Sequence, residues 1–534
     1  MNRVGAIVFF LLVFIFSCQY KPTHQKQIFR YNELAGITSL DPAFASNLSN
    51  IWASQQIFNT LFQLDDHLQI QPMLAHSWQM NDSNTRFVCT LRQDVFFHPN
   101  PCFKEARKLI ANDVAFSFNR LLHTGNGSWI TDYIKKNDDT LHILCPDDST
   151  VVFTLQRSFV PFIQLLAVPI TGIVPHEAVA FYGKDFARNP VGTGPFLFKR
   201  WVDNEKLVLS KNPHYFERDS LGTALPYLDG IAISFVKDPQ TALLGFLTGA
   251  FDMLSGMEKP YRETLINDQG QLKSKYAHDF RFHRMPFLNV EYIGFHPDAN
   301  PQHPLRHPSL RKALHLLLDK QMITRYVRRD VGIPALQGFV PPALQSQPWQ
   351  SDYEQTNRSA ALQLLHDAGF SHPSEVPSFT LFCDPLYADI YTQVVNQWKR
   401  EGFVVNLEVL DRPTLKSQIA KGRLLCFRAS WIADFADANS YLSLFYSPNF
   451  SPNGPNYTHF SNTQADLLFE SSMAEPHDSI RNLMYQMMHA LIEDESPVIP
   501  LYYDEVVRFT HRRVIGMKIN VMNHLLLKQI HIQP

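Results

Sequence analysis

The 534-residue sequence is poor in cysteine, with six, and has no CxxC pair, so neither a disulfide-dense scaffold nor a thiol redox centre is indicated. Charge of either sign is also scarce in runs. Lys+Arg is 48 and Asp+Glu is 50, a formal net charge of −2 without a basic stretch, which excludes a nucleic-acid coat. Catalytic signatures are missing too. There is no GxSxG, no HExxH (His176-Glu177 lacks the second His) and no GxxxxGK[ST], since Ala178 stands where the first Gly before Gly183-Lys184 belongs. Glycine, at 22, is outnumbered by 35 prolines, while aromatics reach 13%. A chain of this length exceeds one hydrophobic core, and this composition describes several ordered units with rigid loops around apolar clefts.

Only one long hydrophobic run occurs, Val4 to Phe16 behind Arg3. It is shorter than the roughly 20 residues a spanning helix needs, and it reads as an export signal. Ser17-Cys18 at its end resembles a bacterial lipoprotein signal, in which Cys18 becomes the diacylated first mature residue; a plain signal peptide cleaved elsewhere is the alternative. Of the other cysteines, Cys89 shares a strand face with Phe87 and Leu91 and reads as a core thiol. Cys102 with Cys145, or Cys383 with Cys426, are possible pairs, and no essential disulfide is expected.

Between 379 and 434 the pattern alternates cleanly. The strand Phe379 to Cys383 precedes a helix over Tyr387 to Glu401 with Tyr387, Ile390, Tyr391, Val394 and Trp398 on one face, stopped at Gly402. Next come a strand from Phe403 to Leu410, a helix N-capped by Asp411 and stopped at Gly422, and a strand from Leu424 to Trp431. This β-α-β-α-β run predicts a parallel sheet with ligand at the carboxyl ends of its strands, where 432 to 439 falls. Amphipathic helices are expected behind Pro308 and before Gly369. The first half offers short strands, Phe87 to Arg92, Val151 to Leu155, Phe196 to Trp201 and Leu207 to Ser210, with Asp203-Asn204 as a hairpin tip, hence a mixed sheet. Phe287 to Phe295 and Val498 to Tyr503 bracket the α/β part as candidate crossovers.

Two residue groups invite special chemistry. His296, His303 and His307 lie in FHPDANPQHPLRHPS, where His-Pro dipeptides favour rigid turns over metal ligation, so no metal is expected. Arg428 shares a face with Leu424 and Cys426 of a buried strand, so its guanidinium needs a carboxylate, either internal or on a ligand.

Several stretches, in order along the chain, together resemble the family 5 solute-binding proteins of ABC importers. They are LDPAFASNLSNIWASQQIFNTLFQLD from residue 40, QPMLAHSWQMNDSNTRFVCTLRQDVFFHP from 71, ANDVAFSFNRLL from 111, NPVGTGPF from 189 with KNPHYF from 211, HPSLRKALHLLLDKQMI from 307, the AAL..LLHDAGF segment ending at Phe370, and SWIADFADANSYLSLF from 430. The resemblance implies an α/β, two-lobed periplasmic-binding-protein fold with mixed sheets, a two-crossover hinge and an extra small domain on the first lobe. The expected boundaries are 1–17 signal peptide; 18–60, 172–286 and 500–534 first lobe; 61–171 extra subdomain; and 287–499 second lobe.

In peptide-binding members the Asp of a Trp-x-x-Asp element pairs with the ligand's α-ammonium; here that element is Trp431-Ile432-Ala433-Asp434. Ser430 stands where Gly is usual and Ala438 where Pro is, and Leu381 to Ala388 offers neither Arg nor His for a peptide carboxylate. The expected ligand contacts are therefore Asp434, Trp431, Ala433 and Arg428, with Cys18 as the lipid site. The implied protein is a monomeric envelope lipoprotein, on a membrane facing the periplasm or exterior. It needs no cofactor and contacts no nucleic acid, catalyses no reaction, and passes short peptides to ABC permease subunits. A nickel chelate, haem or oligosaccharide is the alternative cargo on the same fold, and a hydrolase or a sensor subunit the alternative class.

Overall fold

The computed structural model describes residues 26–533. Its backbone is one mixed sheet that runs through both lobes. In spatial order the strands are Phe196–Val202, Lys206–Lys211, Gly230–Ser234, Ile28–Asn32, Met253–Ser255, Val498–His511, Phe280–Phe295, Cys426–Ile432, Phe379–Cys383 and Val405–Val409, with Ile333–Pro334 added beside Val498–His511. The first five belong to the first lobe and the last three to the second. The two long antiparallel strands serve both.

These long strands extend the segments expected at 287 to 295 and 498 to 503 back to Phe280 and on to His511. Their polar halves, such as FRFHR and DEVVRF, hide the strand period from a reading of hydrophobic runs. Their ladder shifts register twice, between Glu291 and Tyr292 and, more widely, between the lobes: there Pro286 pairs with Glu505 and Val290 with Tyr503, so the intervening residues fall out of register. Leu288 turns its N–H to Val521 O at 2.9 Å and accepts from Ala433 N at 2.9 Å. A ladder interrupted in both strands at one level is a place where the lobes can pivot.

The α/β run is built as its sequence indicates. Asp411 accepts from Thr414 N at 3.1 Å to start the helix Arg412–Ala420, and Gly422 follows with φ +63°. The strands 379–383, 405–409 and 426–432 pair in parallel. The helix begins at Ala388, one residue later than expected, because Asp384 accepts from Leu386 N and holds Pro385–Tyr387 as a separate 3-10 turn. Trp398 on that helix is fully buried and donates through Nε1 to Leu314 O at 2.9 Å. Its burial contributes about 3 kcal/mol and ties this helix to Pro308–Leu316.

Ala75–Met80, Arg86–Leu91, Thr150–Thr154 and Ile143–Asp147 form a separate four-stranded antiparallel sheet, packed on the helix Ala111–Thr124. Phe87, Cys89 and Leu91 all face its core. The five cysteines among the described residues are free.

The stretches that carry the family resemblance prove to be mostly joints. In NPVGTGPF, a Cβ on Gly192 would lie 2.1 Å from Ile57 O, and one on Gly194 2.5 Å from Ile57 C, so the loop lies directly on the end of the helix Leu48–Ile57. Gly194 N donates to Ile57 O at 2.8 Å, and Asn212 of KNPHYF donates to Gly194 O at 3.0 Å. Asp41 of the Asp-Pro element takes Arg120 of ANDVAFSFNRLL in a forked ion pair. Arg311 of HPSLRKAL is buried and donates to four carbonyls, two of them, Glu495 O and Ser496 O, at the end of the helix Asp478–Glu495.

Candidate ligand-binding site in the interlobe cleft

The strand Cys426–Ile432 ends toward the first lobe, and the loop after it carries Ala433 and Asp434. A carboxylate at this position has two local roles within reach, capping the following turn and pairing with Arg428. Neighbours take both. Asp437 accepts from Asn439 N and from the Tyr485 hydroxyl, each at 2.8 Å, and so fixes the start of Asn439–Leu442. Arg428 is claimed by other acids. Asp434 itself contributes only its backbone N–H, to Ser440 Oγ at 3.0 Å.

Its side chain is exposed, yet desolvation by the surrounding protein pushes its carboxyl up to about 7. These two observations agree when the carboxylate faces a space enclosed by protein, where water enters but the dielectric stays low. In the same stretch, buried polar atoms without a hydrogen-bond partner among the described residues include Trp431 Nε1, Asn439 Nδ2, the Tyr441 hydroxyl, and Oδ1 of Asn289, whose residue pairs with Ile432 across the sheet. Buried donors and acceptors are normally satisfied, so this concentration around one carboxylate marks a surface shaped for a polar guest. Ala433 is buried and its N–H is used by Leu288, which leaves only its carbonyl for a ligand.

Arg428 requires a correction. Instead of presenting its guanidinium to the cleft, it donates to Glu291 through Nε at 2.6 Å and Nη2 at 2.7 Å, to Asp384 at 3.1 Å and to Ser430 Oγ at 3.3 Å. The Tyr387 ring stacks 3.5 Å from its Cζ. Burial pulls the Glu291 carboxyl upward and the guanidinium downward; the forked contact offsets the first only in part and reverses the second, holding Arg428 charged. The partner is therefore internal. Removing either member would strand a buried charge at a cost of about 3–5 kcal/mol.

Glu291 also accepts from the Tyr391 hydroxyl at 2.8 Å. Beside it, Arg328 pairs with Asp504 and donates to the Tyr502 hydroxyl at 3.1 Å. Through Glu291 and Asp504, these pairs sit on the two long strands beside the break in their ladder. Glu291 sits in an apolar run, FLNVEYIGF, and that single buried acid is the signal that identifies Arg428's partner.

The first lobe contributes groups that sequence reasoning missed. Glu33 follows the strand Ile28–Asn32, and Glu258 and Arg262 follow Met253–Ser255. Burial raises both Glu carboxyls. Burial and the charges of Arg328 and Arg329 lower Arg262, which makes no ion pair among the described residues although Asp389 of the second lobe acts on it. Each lies just past the carboxyl end of a parallel strand, the position from which loops line a crevice.

Further contacts join parts of the two lobes. Phe159 of the small subdomain meets Phe435 edge-on at 6.3 Å, Val160 N donates to Met473 O at 2.8 Å, and Arg329 donates to Ile266 O at 3.1 Å on another side. A separate groove on the first lobe, lined by Gln56, Asn59, Tyr215 and Lys528, shares no residue with this site. No helix among the described residues is long and apolar enough to cross a membrane.

Comparison with known proteins fits this geometry. The chain is 25% identical over 541 residues to the probable deoxycholate-binding periplasmic protein YgiS of Escherichia coli, covering 96% of this chain and 95% of that one. It is 25% identical over 492 residues to the glutathione-binding protein GsiB of Salmonella typhi, covering 90% of each. The fold matches that of the ABC transporter-associated periplasmic binding protein DppA from Helicobacter pylori, in complex with peptide STSA, with a TM-score of 0.78 at 20% identity over 95% of this chain and 99% of that one. Residues 69–453 match the family model for bacterial extracellular solute-binding proteins, family 5 (Middle). Binding rather than catalysis is what this family does, and the chain belongs to the family 5 bacterial extracellular solute-binding proteins.

Proposed function

We propose that this protein captures short peptides between its lobes and passes them to an ABC importer, with Asp434 receiving the peptide's α-ammonium. The observation that carries the reading is the Asp434 carboxylate, which has no side-chain partner among the described residues and is raised to about 7 by desolvation. A charge placed there at a cost in solvation gains most from a cation that arrives with the ligand. Trp431 and the Ala433 carbonyl flank it, and Arg262 is the cation available for a carboxylate at the ligand's other end. An extended peptide satisfies its main chain against strand ends, so affinity depends little on side chains.

The test compares one short peptide in free and N-acetylated forms by calorimetry. Free peptide should bind wild type tightly, and acetylation or Asp434→Asn should each weaken binding by about two to four orders of magnitude. Equal affinity for both forms would remove Asp434 from this role and leave another cargo. Mass spectrometry of co-purifying material identifies that cargo directly. The lipid-anchor reading rests on Cys18, outside the described residues; Cys18→Ser should move the protein to the soluble envelope fraction, and retention in the membrane pellet would refute it.

A further inference from the structure

Of the three histidines in the His-Pro loop, the fold absorbs His303 and His307 into turns. His303 accepts from Leu305 N at 3.1 Å and lies 3.1 Å from Pro377 O through its other nitrogen, while His307 precedes the helix Pro308–Leu316. His296 goes elsewhere. Its ring centroid lies 4.3 Å from that of His459, 163 positions along the chain, and the Asp298 carboxylate joins them. One ligand atom from each of the three residues lies within 4.8 Å of the others.

We infer that His296, Asp298 and His459 form a site for a divalent first-row transition-metal ion, remote from the cleft. Three features support it beyond proximity. His296 is buried, and its Nδ1 has no hydrogen-bond partner. The imidazole is packed directly over Gly422, where a Cβ would fall 2.5 Å from Nε2.

His459 Nε2 lies 3.0 Å from Ser451 O; donating a proton there leaves Nδ1 as the lone-pair nitrogen, the tautomer a metal ligand takes. The ring is held in place by stacking on Phe450 at 4.5 Å, on a backbone with φ +52° that few non-glycine residues adopt. Two imidazoles and one carboxylate suit zinc, nickel or copper better than calcium or magnesium, and such ions take these donors at roughly 2.0–2.2 Å. Water would complete the shell.

The other acid–histidine group, Asp113, His176 and Glu177, makes a useful contrast. Arg107 already bridges both of its carboxylates at 2.7 Å, so the cation position is filled by the chain itself. Among the described residues, no such cation serves His296 and Asp298. Their site lies at the opposite end of the strand Cys426–Ile432 from Asp434, since His296 N donates to Leu425 O. Seven residues of strand put about 20 Å between them. A metal there would clip the end of the long strand to the 450–460 loop, without contacting cargo.

The experiment titrates Zn2+ into untagged, EDTA-treated full-length protein by calorimetry, with His459→Asn and Asp298→Asn as variants. Asn tolerates the left-handed backbone at 459, and Asp298 is exposed, so both should fold. Wild type should show one Zn2+ site per chain, weakened by about tenfold or more in either variant, together with a Zn2+-dependent rise in melting temperature that the variants lose. Peptide affinity should be the same in all three, which separates this site from the cleft. Absence of a Zn2+ isotherm in wild type, or an unchanged site in both variants, would overturn the inference.

Discussion

Asp434 concentrates the chemistry of the molecule in one titration. Its ordinary carboxyl value is 3.8 and burial carries it to about 7 in the folded, unliganded protein. A raised carboxyl stabilises the fold below its unfolded value and loses that contribution as pH rises through the folded one. The unliganded protein should therefore melt lower at pH 8 than at pH 5 by a margin that Asp434→Asn reduces, measured by thermal unfolding. An incoming ammonium pulls the other way, favouring the carboxylate and releasing a proton. Peptide affinity should rise from pH 5 to about 7, flatten, and fall again as the ligand amine, near 8, deprotonates. Calorimetry across pH reads this directly, and a flat profile in wild type would exclude Asp434 as the ammonium partner. Arg428 should leave that profile unchanged, because its charge is spent on Glu291 and Asp384.

At the scale of elements, the joints between motifs carry more structural weight than the motifs taken singly. The 189–196 loop lies so close to the end of the helix Leu48–Ile57 that a methyl group on Gly192 would meet backbone oxygen, which has no flexible end to yield. Gly192→Ala should cost about 3 kcal/mol or more, at the severe end for a single substitution, seen as a lower denaturant midpoint. Gly36, with φ +71° and open space around it, should tolerate alanine better despite its backbone. The α/β run from 379 to 432 was legible because its helices have local stops and caps. The long strands were legible only in their apolar halves. Where they cross the first lobe their residues alternate with charge, and pairing partners more than 200 positions away decide that they are strands at all.

For the whole molecule, the cleft groups matter only when the lobes meet. The Phe159–Phe435 contact and the Val160–Met473 hydrogen bond hold the small subdomain against the second lobe, and the broken ladder at 286–290 opposite 503–505 lets that contact open. Ligand that touches both lobes stabilises the closed state by its contacts to the second one reached. Scattering should show a larger radius of gyration without ligand than with it. Phe435→Ala should weaken peptide binding by about fivefold to tenfold, because truncating a buried aromatic contact at the rim costs on the order of 1 kcal/mol of closure. Compaction of neither wild type nor variant on adding peptide would argue for a rigid scaffold.

The sequence alone determined the class of fold, the α/β lobe with its capped helices, and the loop that presents Asp434, because each is encoded by neighbours within a few residues: caps, stops, alternating strands and short motifs. Only the tertiary structure decided the partners of charged groups. Arg428 finds Glu291, 137 positions away, Arg262 makes no ion pair among the described residues, and His296 meets His459. A charge acts through whatever lies within a few ångströms in a medium of low dielectric, and that neighbourhood is assembled by the crossing of distant strands rather than by the order of residues along the chain.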